Sequence, residues 1–216
     1  MKETIYTIPI NEAFEAASGS GACPVCALHG RLESDALDYV LGAAMMEPDV
    51  RVETNRLGFC GAHWDKMLGA QKRLPVALIL HTHLEDMRKT AGRRLEGPET
   101  CYICTRVETF LTRYYANILY LWGSSPEFRA RFDGVPMICL RHSAGLTRNA
   151  KASLSRKDAA ALAKALTARA ERALGGLHES VGLFVRSFDH RYAGEDIGEH
   201  KTAPERGVQY LTGGRF

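Results

Sequence analysis

Residues 20–26 read SGACPVC, placing Cys23 and Cys26 two residues apart just ahead of a helical pattern. Such a CxxC pair serves as a redox couple, as part of a disulfide framework or as half of a metal site. The other cysteines decide how it is read. Cys60 and His63 form CGAH, Cys101 and Cys104 form CYIC, and Cys139 and His142 form CLRH. From Cys26 to Cys60 is 34 residues and from Cys104 to Cys139 is 35, and no cysteine is left over. A CxxC…CxxH module therefore occurs twice, its second copy beginning 78 residues after the first. Recurrence at a fixed offset marks duplicated units.

Three thiolates and one imidazole are a common tetrahedral zinc set. The sequence thus predicts two zinc ions per chain, with ligation inside each copy. Cys23, Cys26, Cys60 and His63 would hold one ion, and Cys101, Cys104, Cys139 and His142 the other. Each motif opens a helix, whose positive dipole end favours thiolates. An iron–sulfur cluster is the alternative cofactor, since the same residue types ligate iron. A redox role is also open because CPVC resembles the CPxC of glutaredoxin-like proteins, but the strand–turn–helix context is missing and such a couple has no use for the matching CxxH. A site with four protein ligands has no open coordination position, so both sites are expected to be structural.

The surrounding pattern is helical. Leu28, Leu32, Ala36, Leu37, Val40 and Leu41 follow the first CxxC at steps that share one helix face, and Val107, Phe110, Leu111, Tyr114, Ile118 and Leu121 follow the second. The CxxH motifs open further helices, HWDKMLGAQ and RHSAGLTRNA. Another helix is predicted from Leu74 to about Leu95, and a short one from Pro204 to Leu211. Ser155-Arg156-Lys157-Asp158 resembles a capping box at the start of a long helix. Its spine runs Leu162, Leu166, Ala170, Leu174, Leu177, Val181, Phe184 and Phe188, with a kink or split expected at Gly175-Gly176. IYTIPI (5–10) reads as an edge strand or extended arm because of Pro9, and MEPDVRVETNRLGF (46–59) as a loop. The expected fold is all-α: one compact unit, 1–216, of two pseudo-repeats at about 20–95 and 98–150, with a long C-terminal helix and tail over 151–216.

Composition is that of an ordinary globular chain: 216 residues, 45% apolar, 25% charged and a net charge of +3. That charge is too small to argue for nucleic acid or membrane. The N-terminus lacks a basic and then apolar leader, and the longest apolar run, PVALIL (75–80), is far short of the ~20 residues of a membrane span. A cytoplasmic protein is expected, in which six cysteines favour metal over disulfides.

Two basic stretches read as solvated helix faces with nucleic-acid contact as the rival. One is Arg148, Lys151, Arg156, Lys157, Lys164, Arg169 and Arg172; the other is Arg88, Lys89, Arg93 and Arg94. Asp189, His190, Arg191 and Tyr192, with Glu195 and Asp196, crowd the exit of the long helix and form a candidate functional surface. It is expected to stay clear of the metals and to fold back on the body beside Phe184 and Phe188.

KETIYTIPINEAFE, CPVCAL, ALDYVLGAAMMEPDVRVETNRLGFC, the second CxxC…CxxH and FDHRY together resemble a bacterial family of unknown function, of the Firmicutes type, with duplicated metal-binding modules. The resemblance spans nearly the whole chain and implies the eight metal ligands but no activity. The leading reading is a non-enzymatic, zinc-stabilised adaptor or binding module whose partner is another protein or a second copy. The rivals are an enzyme with a pocket around 187–207 and a nucleic-acid-binding protein using the basic faces.

Overall fold

The structure, a computed structural model, describes residues 7–90, 100–192 and 196–214. Among these residues there is no strand; ten α-helices and short 3-10 turns carry the chain. The expected all-α class is what the structure shows.

Helix α1 (Thr7–Ser20) occupies the segment read as an extended arm. Ile10, Phe14 and Ala17 are buried along one side of it, and Pro9 stands in the first turn, where its missing N–H costs nothing. Ile5 and Tyr6 lie outside the described residues. Helix α2 (Pro24–Val40) starts within the first CxxC and buries Leu28, Ala36 and Val40, as their spacing predicts. The expected loop at 46–59 is instead mostly α3 (Pro48–Leu57). Pro48 starts it, Asp49 and Arg56 suit its dipole ends, and Thr54 and Leu57 are its buried contacts. Its composition is polar, which hid a helix that buries only a narrow stripe.

Next come α4 (Gly61–Gly69) and α5 (Arg73–Thr90). The predicted continuation of α5 to Leu95, with Arg93 and Arg94, lies outside the described residues. Helix α6 (Tyr102–Ser124) starts within the second CxxC. Helix α7 (Pro126–Gly134) starts at Ser125, whose hydroxyl accepts from the Phe128 amide at 3.2 Å. Helix α8 (Leu140–Ser153) leads to α9 (Arg156–Arg186). The Ser155 hydroxyl caps α9 by accepting from the Asp158 amide at 3.1 Å, as the capping-box pattern predicts. The expected break at Gly175-Gly176 does not occur, and α9 runs unbroken for 31 residues. Two glycines cost ~2 kcal/mol against alanine but, unlike proline, keep their N–H donors and do not break the helix. Helix α10 (Ala203–Thr212) closes the described chain.

The chain divides into two compact units, Met1–Leu28 with Thr112–Phe216, and His29–Leu111. Both divisions fall inside an expected pseudo-repeat, within α2 and within α6. In the first unit Phe14 meets Phe128 and Phe132 at ring-centroid distances of 5.1 and 5.6 Å, and Trp122 meets Phe132 edge-on at 6.5 Å. Helix α10 packs on α8 and α9. In the second unit Val40, Leu57, Phe59, Met67, Val76, Ile79, Ile103 and Val107 form one core. Each such side chain stabilises by ~1.5–3 kcal/mol when fully buried.

Arg169, read as part of a solvated basic face, is only 4% exposed. Its Nη2 donates to the carbonyls of Phe132 at 2.8 Å and Asp133 at 3.4 Å, capping the C-terminal end of α7, and the guanidinium lies 4.8 Å from the Phe132 ring. Arg169→Ala should destabilise the protein by about 2–3 kcal/mol, the scale of charged hydrogen bonds lost from a buried site. Denaturant unfolding measures this. Lys164 is exposed on the same helix, so Lys164→Ala serves as the control and should change stability by no more than about 0.5 kcal/mol.

Candidate metal centres

Four cysteine-bearing turns sit at four helix starts, and they converge in two groups among the described residues. One contains Cys23, Cys26, Cys139 and His142; the other contains Cys60, His63, Cys101 and Cys104. Within each group the four ligand atoms lie within 4.8 Å of one another. All eight residues singled out from the sequence are brought together, but the expected pairing is wrong. Each site joins the CxxC of one copy to the CxxH of the other.

The physical reason lies in the helices. Seventeen residues of α2 carry the chain about 25 Å from the first CxxC turn at ~1.5 Å per residue. The segment that follows then meets the start of α6. The Tyr102 amide donates to the Gly58 carbonyl at 2.9 Å, and the Thr100 hydroxyl to the Leu57 carbonyl at 3.1 Å. These bonds set Cys60 beside Cys101. Phe59 seals the junction against Trp64 and Tyr102, with centroids 5.0 and 6.2 Å away.

In the first site, His142 Nδ1 lies 3.7 Å from Cys23 Sγ, 3.3 Å from Cys26 Sγ and 3.1 Å from Cys139 Sγ, with Cys26 and Cys139 sulfurs 3.6 Å apart. In the second, His63 Nδ1 lies 3.1 Å from Cys60 Sγ, 3.3 Å from Cys101 Sγ and 3.5 Å from Cys104 Sγ. A tetrahedron with ~2.3 Å metal–sulfur and ~2.0–2.1 Å metal–nitrogen bonds has edges of ~3.8 Å between sulfurs and ~3.6 Å from sulfur to nitrogen. The observed edges match that size to within about half an ångström. All six cysteines are free thiols.

Helix starts supply the local geometry. Cys139 and Cys60 are the N-cap residues of α8 and α4, so the histidine three positions on turns back towards the sulfur in the first turn. Cys23 and Cys101 directly precede α2 and α6, with Cys26 and Cys104 in the first turns. The Cys23 carbonyl accepts from the Cys26 amide at 3.1 Å, and the Cys101 carbonyl from the Thr105 amide at 2.9 Å.

The two sites differ in their surroundings. All four residues of the first are buried. The Cys26 thiol faces the Gly213 carbonyl at 3.2 Å. Gly213 ends α10 at φ +85°, where a Cβ would meet Cys139 Sγ at 3.5 Å and the Arg141 side chain at 3.0 Å, so a glycine suits both the backbone and the space. On the other side Tyr115 stands 6.5 Å from the His142 ring, against Gly145, where a Cβ would come within 2.3 Å of the tyrosine oxygen.

In the second site His63 and Cys101 are buried, Cys60 is half-buried and Cys104 is exposed. With Nδ1 turned to the sulfurs, His63 Nε2 donates to Glu33 Oε1 at 2.9 Å, and Lys66 Nζ donates to Glu33 Oε2. A carboxylate behind a ligating histidine fixes its tautomer and raises its basicity. Burial works against ionisation of Glu33, but Lys66 and His63 overcome it and hold the carboxyl below its usual range.

The titratable groups of each site hold charge unevenly. Hydrogen bonding to Cys101 lifts His63 to about 9. Burial would raise Cys101, but His63 and the backbone amides bring it down to about 6. Partial desolvation and the neighbouring Cys101 push Cys104 up to about 12. In the first site burial is likewise overcome at Cys23, which falls well below the usual thiol range through hydrogen bonds from Cys139, Cys26 and His142. Sharing with Cys23 raises Cys139 to about 12. Each cluster thus gathers more sulfur than its own donors can hold as thiolate, the condition a divalent cation relieves.

Residues 1–100 and 91–216 match the family of unknown function DUF6062. The chain belongs to that family. Among curated proteins, this DUF6062 chain is similar to the "Uncharacterized 23.9 kDa protein in xynA 3'region" of Caldicellulosiruptor sp. (strain Rt8B.4). The two are 24% identical over 127 residues, which cover 56% of this chain and 63% of the relative, less than two thirds of its length. No solved structure matches the chain.

Neither cluster includes a residue of the candidate surface at 189–192. There Asp189 takes Arg191 Nη2 at 2.6 Å and Nε at 3.0 Å, and Arg186 lies 4.7 Å from the Tyr192 ring. His190 is exposed, and Glu195 lies outside the described residues. The chain from Asp196 onward does return to α9 through a 3-10 turn and α10. Phe188, however, stays 77% exposed, so the expected packing on it does not form. Sequence reading missed Glu33, whose signal is weak: an acid on the edge of the α2 core face, one position after Leu32.

The pairing has a clean test. Cys60→Ser should cost the protein one metal and leave Cys101 and Cys104 open to alkylation, with Cys23, Cys26 and Cys139 still protected. Mass mapping of alkylated peptides reads this directly, and loss of protection at Cys23 and Cys26 would restore the within-copy pairing. Glu33→Gln should weaken metal binding at the second site by about 10–100-fold, read by chelator competition, with the helical circular dichroism retained.

Proposed function

We propose that both clusters bind zinc and that the protein is a zinc-stabilised helical binding module. The observation that carries this is the pair of complete Cys3His clusters, each joining two helix starts that are distant in sequence. Four protein ligands leave no position for water or substrate, which favours a structural role over a catalytic one. Spacing favours a single ion over an iron–sulfur cluster, because bridging sulfides hold their thiolates further apart than one ion does. The helix dipoles at both sites offset the excess negative charge of three thiolates on a divalent ion.

The partner is a protein or a second copy of this chain. Supporting this, Leu174, Val185 and Phe188 on or just beyond α9 and Val208 and Leu211 on α10 are exposed apolar side chains. Beyond Arg169, α9 has no fully buried residue among those described. Exposed apolar faces of this kind mark association surfaces more often than isolated leucines do. Among the described residues no helix is long and apolar enough to cross a membrane.

Purified protein should contain two zinc ions per chain by elemental analysis. Binding free energy at a structural zinc becomes folding free energy, ~10–16 kcal/mol in small zinc peptides, against ~5–15 kcal/mol for the whole stability of a typical domain. Stripping both ions with a strong chelator should therefore abolish the cooperative melt and most helical circular dichroism. Iron with labile sulfide, or an unchanged melting temperature after complete stripping, is the result that rejects the structural zinc reading.

A further inference from the structure

The two sites share ligand chemistry but not access. At the first, all four ligand residues are buried, and the Gly213 end of α10 lies against Cys26 and Cys139. A solute approaching those sulfurs must first displace α10. At the second, Cys104 is exposed and Cys60 half-buried, while Cys101 and His63 lie behind them. Thiolate reactivity follows ionisation and access together. When the ion is bound all six sulfurs are thiolates, so access alone separates them.

We propose that Cys60, His63, Cys101 and Cys104 form a thiol-modification site, at which a hydroperoxide oxidises Cys104 and the metal is released. The inference rests on the metal occupancy proposed above. The Cys104 thiolate attacks one peroxide oxygen. An S–O bond forms, the O–O bond breaks, and hydroxide or alkoxide departs with the electron pair. Cys104 is then a sulfenic acid. Cys101 Sγ, within 4.8 Å in the same cluster, attacks that sulfur as a thiolate. The S–O bond breaks as the S–S bond forms, and hydroxide leaves. Two thiolates lose two electrons and the peroxide gains them.

The burial order assigns the roles. The sulfur of the exposed residue meets the oxidant, and that of the buried residue resolves the sulfenic acid before it can be oxidised further. Cys60 and His63 remain as two ligands, too few for a tetrahedral ion. The junction between the start of α4 and the start of α6 then loses its clamp. The hydrogen bonds of Tyr102 and Thr100 to the 57–58 carbonyls still join the two segments. The unit His29–Leu111 thus loses the stabilisation its ion supplied, and a thiol reductant and zinc restore it. Nothing comparable happens at the first site, whose sulfurs the oxidant does not reach.

The wild-type protein tests this without a variant that might fail to fold. Metal content is measured first, and a value other than two zinc ions per chain speaks against the occupancy reading, not against the relative reactivity of the sites. Loaded protein is then treated with graded hydrogen peroxide, free zinc is followed with a colorimetric chelator, and cysteines are mapped by mass spectrometry after alkylation. The expected result is release of one zinc per chain at least about tenfold faster than the second, with Cys104 joined to Cys101, Cys23, Cys26 and Cys139 unmodified, and recovery with dithiothreitol and zinc. Release of both ions at one rate, a first disulfide that lacks Cys104, or retention of both ions while Cys104 stays reduced overturns the proposal.

Discussion

Everything in this structure depends on bringing three thiols and an imidazole to one point at the meeting of two helix starts. Separately, each turn is a short polar segment beside a helix dipole. Together, they form a set of donors whose mutual distances are those of a single tetrahedral ion. The proton balance within the clusters points the same way. One thiol in each site becomes more acidic while a neighbour rises to about 12, because charge accumulates faster than the local donors can satisfy it. A divalent cation is the natural counter-charge.

The cross-copy pairing gives these sites a topological role. A site closed within one copy would tie a loop of about 34 residues, the spacing between its two motifs. The observed sites instead tie the first CxxC to the last CxxH, and the inner two motifs to each other. Each compact unit therefore contains one complete site made from both halves of the duplication. The long helices α2 and α6 each lead away from their own CxxC before the next motif arrives.

The second site carries an outer polar layer, Glu33 behind His63, balanced by Lys66. The first is closed by packing, with the α10 end against two sulfurs and Tyr115 against Gly145. One site is thus held by burial and the other by a polar network near solvent. The two clusters share their ligand chemistry and differ in access to solvent.

The sequence by itself determined the helical class, the duplication, the eight Cys and His residues that cluster and the start of α9, because each rests on local spacing that short-range geometry reads directly. It misled at 46–59 and 7–10, where a polar stripe or a single proline masked helices whose buried contacts come from elsewhere in the chain. It missed Glu33, since an acid on a helix declares no partner until another helix arrives. Arg169 shows the same limit: an arginine in a basic run looks solvated until the carbonyls of α7 meet it. The pairing of the motifs was decided only by tertiary structure. Two equally spaced CxxC…CxxH copies are compatible with closure within a copy or across copies, and helix length and direction, which spacing alone does not encode, select between them.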